Sequence, residues 1–357
     1  MKVGIVVSSL TNGGAEKSSA TLSKMLCNVG FEVVIISDEA SISYEYDGKL
    51  IVLDELLPIT KGLPGKILRT HLFRKVTKAE NFEYIIDTRA RENLLKQVVF
   101  NLFVFPIEKT IFMLHNYNLS LYFPKNRNIA KWIYRNYFWI IGVSKASVEH
   151  AKEVYGFKRI TCIYNAIEDG IADKAEEYEV KEDNYILSYG RILDESKDYT
   201  FLINTYKKSI LPEQNVKLLI IGSGPDLQKI RKLADSLGLS KDVLFKDFVA
   251  NPFPYVKNAL FTTLTSNYEG FPMVLIESLA LGTPVIAVDC KSGPAEIIES
   301  GKNGILVPFK DPKKFTLALN KMVTEKDFYL KCKEGTFKSI DKFKMNNIAK
   351  EWKKLLI

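Results

Sequence analysis

Residues 261–299 constrain the fold of this chain more than any other stretch. A short β-rich run leads into a polar turn at 266–270, and mostly apolar residues follow at 272–281. Gly282 ends that run, and a second apolar run occupies 285–288. Proline suits the first turn of a helix, and glycine suits the position just after its last turn. The stretch therefore predicts a strand, a loop, a helix and a second strand.

Two carboxylates stand out within this stretch. The helix is apolar nearly all round, which predicts burial, yet Glu277 lies in its middle, and a buried carboxylate is costly unless it is hydrogen-bonded. Glu269 lies in the loop where the helix begins, and free N–H groups at a helix start suit a phosphate. Together the two acids fit a sugar nucleotide, with Glu269 on sugar hydroxyls and Glu277 on the ribose. By spacing alone, a capping Glu269 and a solvent-directed Glu277 would be the commoner arrangement.

The residues around these acids resemble the donor-site signature of glycosyltransferase family 4, the group 1 glycosyl transferases. The similarity lies in Glu-Gly-Phe-Pro at 269–272, Gly-Thr-Pro-Val-Ile-Ala at 282–287 and Ser-Gly-Pro-Ala-Glu-Ile-Ile at 292–298. That family contains retaining enzymes of the GT-B fold. The resemblance implies that Gly270, Phe271 and Pro272 contact the donor.

The resemblance also implies an α/β architecture of two Rossmann-like, doubly wound domains facing across a cleft. Residues 1–168 would bind the acceptor, and residues 169–340 would bind the nucleotide-sugar donor. Residues 341–357 would form a helix that returns to the first domain. The charged, irregular residues 168–184 are typical of a linker.

Three loops carry further donor-binding candidates. Gly13 and Gly14 follow the first predicted strand; without a GxGxxG pattern, they fit a tight turn as well as a phosphate cradle. Arg191 and Lys197 follow the strand at 185–189. Without the resemblance, the two residues fit ordinary surface cations as well as groups that bind a diphosphate. The resemblance implies that Arg191 and Lys197 hold the diphosphate, although the chain has Glu-Ser-Lys-Asp where the family often has Glu-Lys-Gly or Gln-Lys-Asp. Gly190 and Gly222 lie in the turns that begin two of these loops.

The N-terminal half offers candidates at the carboxyl ends of strands, where open α/β sheets bind ligands. His115 follows the strand at 110–114, and the resemblance implies that it faces the donor sugar. Arg89 and Arg91 follow the strand at 82–87 and are candidates for acceptor contacts, or a pair of surface arginines. Tyr117 begins an aromatic-rich segment that would form an acceptor wall or pack inward.

Charge is unevenly distributed along the chain. The net charge is +8, and residues 1–165 hold 22 Lys and Arg against 15 Asp and Glu. Such a basic half fits an anionic membrane, a phosphate-bearing substrate or plain solubility, and without a nucleic-acid-binding motif we expect no nucleic-acid partner. Residues 65–80 place apolar residues at helical spacing among basic ones, as in a helix that contacts an anionic membrane or an ordinary surface helix.

Three further features of the sequence indicate the cellular compartment of the protein. The four cysteines are far apart without a CxxC pair, which predicts reduced thiols and no zinc site. The apolar runs are shorter than the ~20 residues of a membrane span, and the N-terminus fits a buried strand better than a signal peptide. We therefore expect a cytoplasmic protein, peripheral on the inner membrane if it touches a membrane.

The resemblance implies transfer of a hexose or N-acetylhexosamine from a UDP-linked sugar to a glycan, with retention and without a metal or cofactor. The acceptor would be lipid-linked, as in synthesis of bacterial O-antigen, capsule or exopolysaccharide. His115, Glu269, Arg191 and Lys197 are the catalytic candidates. A sugar-nucleotide-binding protein without catalysis is the alternative.

Overall fold

The computed structural model describes residues 1–11, 13–56, 63–91 and 93–357, and the chain forms two compact units. The first unit contains Met1–Ala166 together with Met345–Ile357, and the second contains Ile167–Lys344. Each unit has its own parallel sheet and its own buried core.

The first unit is built on a seven-stranded parallel sheet in the order β3-β2-β1-β4-β5-β6-β7. Its strands are largely runs of Val and Ile, as expected for a sheet covered by helices on both faces. The strands are β1 (Lys2–Val7), β2 (Glu32–Ser37), β3 (Lys49–Val52), β4 (Tyr84–Asp87), β5 (Thr110–Leu114), β6 (Trp139–Gly142) and β7 (Ile160–Cys162). The helices are α1 (Gly14–Asn28), α2 (Leu53–Leu56), α3 (Leu63–Glu80), α4 (Leu94–Val99), α5 (Arg127–Tyr134) and α6 (Lys145–Tyr155).

The second unit has a six-stranded parallel sheet in the order β10-β9-β8-β11-β12-β13. Its strands are β8 (Tyr185–Tyr189), β9 (Lys217–Ile221), β10 (Val243–Lys246), β11 (Thr262–Leu264), β12 (Val285–Val288) and β13 (Gly304–Val307). Its helices are α7 (Ile171–Lys174), α8 (Asp194–Lys197), α9 (Tyr199–Lys207), α10 (Leu227–Ser236), α11 (Phe253–Asn258), α12 (Met273–Ala280), α13 (Pro294–Ile297), α14 (Pro312–Thr324), α15 (Lys326–Glu334) and α16 (Thr336–Ser339).

The strand order reverses once in each sheet. In the first sheet the reversal lies between β1 and β4, and in the second between β8 and β11. Ligands of open α/β sheets bind beside the carboxyl ends of the strands at such a switch point. The loops that follow these four strands are therefore where ligand-binding residues are expected.

The last helix, α17 (Met345–Leu356), belongs to the first unit, where it packs on α1. Its buried side chains include Ile348 and Trp352, which lie on one face because positions three to four apart are neighbours on a helix. In the part of the chain that the structure describes, no helix is long and apolar enough to span a bilayer.

The predicted α/β class with two doubly wound, Rossmann-like sheets is confirmed. The strand β3 was not predicted from the sequence. The predicted linker at 168–184 contains α7, whose Ile171 is buried, and it is part of the second unit.

Candidate functional site

The loops that follow β8 and β11 are tied together at the switch point of the second sheet. The hydroxyl of Thr265 donates to the carbonyl oxygen of Lys197 at 2.9 Å. The backbone N–H of Asn267 donates to the carbonyl oxygen of Ser196 at 2.8 Å, and the Asn267 amide donates to the carbonyl oxygen of Glu195 at 2.8 Å. Because of these bonds, α8 and the loop after β11 form one continuous surface.

Lys197 and Glu269 meet on this surface as an ion pair. The Lys197 Nζ lies 2.6 Å from Oε1 of Glu269, and the Ser266 hydroxyl donates to the same oxygen at 2.6 Å. An ammonium group has three N–H donors, so Lys197 retains donor capacity beyond this bond, and its side chain is 28% exposed. The two residues given separate roles by the sequence therefore contact each other directly.

Arg191 differs from Lys197 because its guanidinium group is exposed and forms no ion pair within the described residues. It follows Gly190, the first residue after β8. A guanidinium group stays charged at any physiological pH and matches phosphate oxygens with paired N–H donors. Arg191 is thus a cation available to an anionic ligand.

Glycine is required where the loop after β9 meets the loop after β8. A Cβ at Gly222 would lie 1.8 Å from the carbonyl oxygen of Gly190, and one at Gly224 would lie 2.1 Å from the carbonyl oxygen of Ile192. Both distances are far below van der Waals contact. Gly222, which the sequence predicted, and Gly224 therefore allow close approach of two backbones beside Arg191.

Glu277 lies in the middle of α12 and is 5% exposed, as its apolar surroundings predicted. The Tyr189 hydroxyl donates to Oε2 of Glu277 at 2.9 Å. Burial, together with the charge and hydrogen bond of Glu277, raises the pKa of Tyr189 well above its ordinary value, so the phenol keeps the proton that it donates. The hydrogen bond offsets part of the cost of burying the carboxylate.

Gly270, Phe271 and Pro272 form a buried turn that leads into α12. The Ser292 hydroxyl donates to the carbonyl oxygen of Gly270 at 3.0 Å, and a Cβ at Gly293 would lie 2.4 Å from Pro272 Cδ. The first N–H groups of a helix lack an intrahelical partner, and no side chain caps them at the start of α12. The turn therefore fixes the position of the N–H groups at the start of α12.

The first unit has a small cavity of about 170 Å³ at its own switch point. Burial raises the pKa of Glu16, which lies in the first turn of α1. A Cβ at Gly13 would lie 1.9 Å from Glu16 Oε2, whereas one at Gly14 would meet nothing within 4 Å. The cavity is lined by Val7, Ser8, Ala15, Glu16, Thr88, Arg89, Ala90 and Tyr122.

Glu16 was not among the residues selected from the sequence. The signal in the sequence is a carboxylate two residues after the Gly-Gly pair, at the helix start that follows a buried strand. Gly13 makes room for this side chain, which explains one of the two glycines. Gly14 has no such steric reason, and its contact with a donor stays a prediction.

His115 lies directly after β5 and has a neutral ring. Its backbone N–H donates to the Tyr122 hydroxyl at 3.2 Å. Within the described residues, both ring nitrogens are buried without a hydrogen-bond partner. Burial lowers the pKa of His115 to about 4, so the imidazole at pH 7 can donate one hydrogen bond and accept another.

The interpretation of Arg89 and Arg91 as a pair of surface arginines was wrong, because both side chains are buried, at 3% and 1% exposure. Both guanidinium groups bind the carboxylate of Asp87, and Arg91 also donates to the Tyr137 hydroxyl at 2.9 Å. Burial alone would raise the pKa of Asp87, but Arg89 and Arg91 outweigh it and hold that pKa below its ordinary value. Arg89 lines the cavity with its charge neutralised by Asp87 and Asp38, and an acceptor contact of Arg89 or Arg91 stays a prediction.

The remaining predictions fall outside this site. The Tyr117 ring stacks on the His150 ring at 4.4 Å between centroids, and its acceptor role stays a prediction. The basic segment at 65–80 lies within α3. Across the described ranges, no three His, Cys, Asp or Glu residues are grouped as metal ligands would be.

Comparison with known families matches both halves of the chain. Residues 12–170 match the model described as Glycosyltransferase Family 4, and residues 171–339 match the model described as Glycosyl transferases group 1.

Two curated relatives are similar over nearly the whole chain. One is N-acetylgalactosamine-N,N'-diacetylbacillosaminyl-diphospho-undecaprenol 4-alpha-N-acetylgalactosaminyltransferase of Campylobacter jejuni, 30% identical over 91% of this chain and 90% of its own. The other is the amylovoran biosynthesis glycosyltransferase AmsD of Erwinia amylovora, 22% identical over 99% of each chain.

Solved structures show the same fold at low sequence identity. TarM of S. aureus, in complex with Fondaparinux, alpha-GlcNAc-glycerol and UDP, has a TM-score of 0.79 at 14% identity over 99% of each chain. HepE of Anabaena, in complex with UDP-glucose, has a TM-score of 0.78 at 18% identity over 100% of this chain and 99% of its own.

Proposed function

Because the chain belongs to glycosyltransferase family 4, and is thus a glycosyltransferase of the GT-B fold, we propose that it transfers a hexose or N-acetylhexosamine from a UDP-linked sugar to a glycan. One observation supports the assignment of the donor site. The exposed Arg191, the Lys197–Glu269 pair and the buried Glu277 belong to the loops and the helix at one switch point of the second sheet.

Each group has a part in donor binding under this proposal. Glu277, held by Tyr189, accepts hydrogen bonds from the ribose hydroxyls. Arg191 and Lys197 bind the diphosphate, and Glu269 accepts from hydroxyls of the transferred sugar while it orients Lys197. The loop at Gly222 borders the base. The UDP-glucose and UDP complexes of the HepE and TarM structures support the choice of UDP.

The same groups supply the chemistry of the transfer step. As the bond between the anomeric carbon and the leaving phosphate oxygen breaks, negative charge builds on the diphosphate, where Arg191, Lys197 and the N-terminus of α12 stabilise it. The sugar passes through an oxocarbenium-like state. The acceptor oxygen attacks from the same face, and its proton goes to the leaving phosphate oxygen, so the configuration is retained. The reaction needs neither a metal nor a protein nucleophile under this proposal.

The acceptor is, under this proposal, a lipid-linked glycan in synthesis of a bacterial surface polysaccharide. The names of the C. jejuni and E. amylovora relatives, which refer to diphospho-undecaprenol and to amylovoran, support this assignment. In the first unit, we assign the acceptor hydroxyl to the cavity at the switch point, because the Glu16 carboxyl group lines that cavity and can form a hydrogen bond with a hydroxyl. His115 stays a predicted sugar contact.

Contact with an anionic membrane would bring the enzyme to such an acceptor. The ring of Phe73 on α3 lies 5.6 Å from that of Phe100, between centroids, so α3 is adjacent to the helical residues after α4. Apolar side chains are exposed on α3, on α4 and on the residues that follow α4, and α3 also carries exposed cations; this combination suits a bilayer surface. The exposed apolar side chains are Ile67, Leu68, Leu94, Leu95, Leu102 and Phe103.

Vesicle sedimentation tests the membrane contact. We expect the protein to sediment with vesicles that contain phosphatidylglycerol, and the double variant Leu95→Glu/Phe103→Glu to remain in the supernatant. Leu317→Glu, which changes an equally exposed apolar side chain of the second unit, is the control. Equal loss of sedimentation in the control would remove the assignment of α3 and α4 to the membrane.

The donor site is tested by a thermal-shift panel of UDP, GDP, ADP and their sugar conjugates. A ligand present at a hundred times its Kd stabilises the folded state by about 2.7 kcal/mol, so a selective rise in Tm with one nucleotide is expected. Glu277→Gln should lose that rise, whereas Glu195→Gln, an exposed carboxylate of the same unit, should keep it. A rise that persists in Glu277→Gln would overturn the ribose assignment.

Activity distinguishes an enzyme from a binding protein. Release of the nucleoside diphosphate in the presence of an undecaprenyl-diphosphate-linked saccharide is the expected result for the donor found in the panel. Donor binding with no product from any acceptor would instead favour a sugar-nucleotide-binding protein.

A further inference from the structure

A second cavity, of about 770 Å³, lies in the first unit at the amino edge of its sheet. Its lining includes Glu108, Asn136 and Arg159, which shortly precede β5, β6 and β7 respectively. Parallel strands bring their amino ends to one edge, so this cavity lies opposite the edge that carries Glu16 and His115. It is distinct from both switch points.

Positive charge dominates this amino-edge cavity. Four cations line it against one carboxylate, Glu108. Among the described residues, none of these four cations forms an ion pair or a side-chain hydrogen bond. The four cations are Lys131, Arg135, Lys158 and Arg159.

Two cationic groups also converge on Gly156, which lies at the wall of the cavity. A Cβ on this residue would lie 2.9 Å from Arg127 Nη2 and 3.3 Å from Lys131 Nζ. Gly156 ends α6 in the left-handed conformation, at φ +67°, so glycine suits both its backbone and this space. Like charges so close repel each other, and an anion between them would relieve that repulsion.

An aromatic surface completes the cavity. Trp132, on α5 beside Lys131, is 45% exposed and lines the cavity. An indole face exposed beside cations suits a ligand that combines a ring with negative charge, because the ring stacks while the charges are neutralised. The concave shape and the volume are those of a site for a discrete ligand, whereas a bilayer would contact a convex surface.

We propose that the amino-edge cavity binds an acidic saccharide, one that carries phosphate, carboxylate or sulfate groups. Arg135, Lys158 and Arg159 neutralise the acidic groups, Lys131 and Arg127 hold one of them beside Gly156, and a sugar ring stacks on Trp132. This site takes no part in the transfer step and would hold an acidic glycan at a distance from the reacting atoms.

Calorimetric titration of the full chain with a heparin-derived sulfated tetrasaccharide tests the proposal. We expect the double variant Arg135→Ala/Lys158→Ala to raise the Kd about tenfold or more, and Trp132→Ala to raise it severalfold. Lys313→Ala/Lys338→Ala removes the same charge from two exposed lysines of the second unit and should leave the Kd unchanged. Because all these side chains are exposed, the variants should fold, and UDP binding provides a check that is independent of this cavity.

Several results would overturn the proposal. An equal loss of affinity in the lysine control would reduce the interaction to net charge. Unchanged binding in Trp132→Ala, with inorganic sulfate as an equal competitor, would reduce the site to one for a simple anion. Loss of binding to phosphatidylglycerol vesicles, with tetrasaccharide binding intact in the cavity variants, would assign the cavity to lipid head groups.

Discussion

Arg191 and Lys197 received the same role from the sequence, but the structure places them in different electrostatic states. Lys197 already shares a bond with Glu269, and loss of either partner leaves the other without its ion pair. Arg191 has no ion pair among the described residues. Removal of its side chain therefore separates the contribution of positive charge to catalysis from any contribution to folding.

Replacement of Arg191 by alanine should reduce kcat about 10²–10³-fold, as loss of one group that stabilises a developing anion typically does. The free energy of unfolding should change by less than about 0.5 kcal/mol, because the side chain is exposed. Steady-state kinetics and urea unfolding measure the two effects. Lys208→Ala, an exposed cation of the same unit, should change neither, and full activity of the Arg191 variant would refute the phosphate assignment.

His115 should make the folded state less stable in mild acid. Burial holds its pKa at about 4 in the folded chain, whereas an unfolded histidine has a pKa of about 6.5. As the pH falls from about 6.5 to about 4, the unfolded state takes up a proton that the folded state does not, which lowers the free energy of unfolding by up to about 3 kcal/mol. That stability is fully present above the unfolded pKa.

Urea unfolding between these two pH values measures the effect. In His115→Gln this part of the pH dependence should disappear, while His71→Gln, at an exposed position of α3, should keep it. The same slope in both variants would show that His115 is not the group responsible.

At the scale of elements, the switch point of the second sheet depends on how closely two loops pack. Gly190 and Gly222 both have positive φ, at +136° and +150°. They differ in their surroundings, because a Cβ at Gly190 meets nothing within 4 Å and one at Gly222 meets a carbonyl oxygen at 1.8 Å. The pair allows backbone conformation to be separated from steric overlap.

Gly190→Ala should cost about 1–3 kcal/mol of unfolding free energy, the usual range for a strained backbone conformation. Gly222→Ala should cost this amount and roughly 1–3 kcal/mol more, because the added methyl group forces the two loops apart. Urea unfolding of the two variants measures the difference. Equal costs would mean that the loops separate without penalty.

The secondary-structure elements differ in how well the sequence predicts them. The arrangement at 261–299 was predictable because periodicity, Pro272 and Gly282 are local signals, and β11, α12 and β12 follow it closely. The short helix α7 has little periodicity, so its place in the second unit depends on packing. The burial of Arg89 and Arg91 was not predictable for a related reason, since the partners that bury them include Asp38 and Tyr137, which are distant in sequence.

At the scale of the whole molecule, the first unit is built from two separated parts of the chain. Residues 345–357 return to it after the entire second unit. Trp352 is 1% exposed in the resulting contact and is among the largest fully buried side chains. The stability of the first unit therefore depends on a helix that follows the other unit in sequence.

Trp352→Ala should destabilise the first unit by about 3–5 kcal/mol, the usual cost of removing a buried tryptophan side chain. Hydrogen exchange followed by mass spectrometry should show faster exchange in β1 and α1, with little change in β8 and β9. Lys353→Ala, at an exposed position of the same helix, is the control. Equal acceleration of exchange in both units would contradict the expectation that loss of the Trp352 side chain destabilises the first unit alone.

The return of α17 to the first unit also has a consequence for biosynthesis. Residues 1–166 leave the ribosome before the second unit does, yet the first unit lacks α17 until residues 345–357 have left the exit tunnel. The second unit is continuous in sequence, so it can complete its fold earlier, although it is made later. During translation, the surface of α1 that will receive Ile348 and Trp352 is uncovered for the time needed to synthesise the whole second unit, and nascent-chain chaperones would find their binding site there.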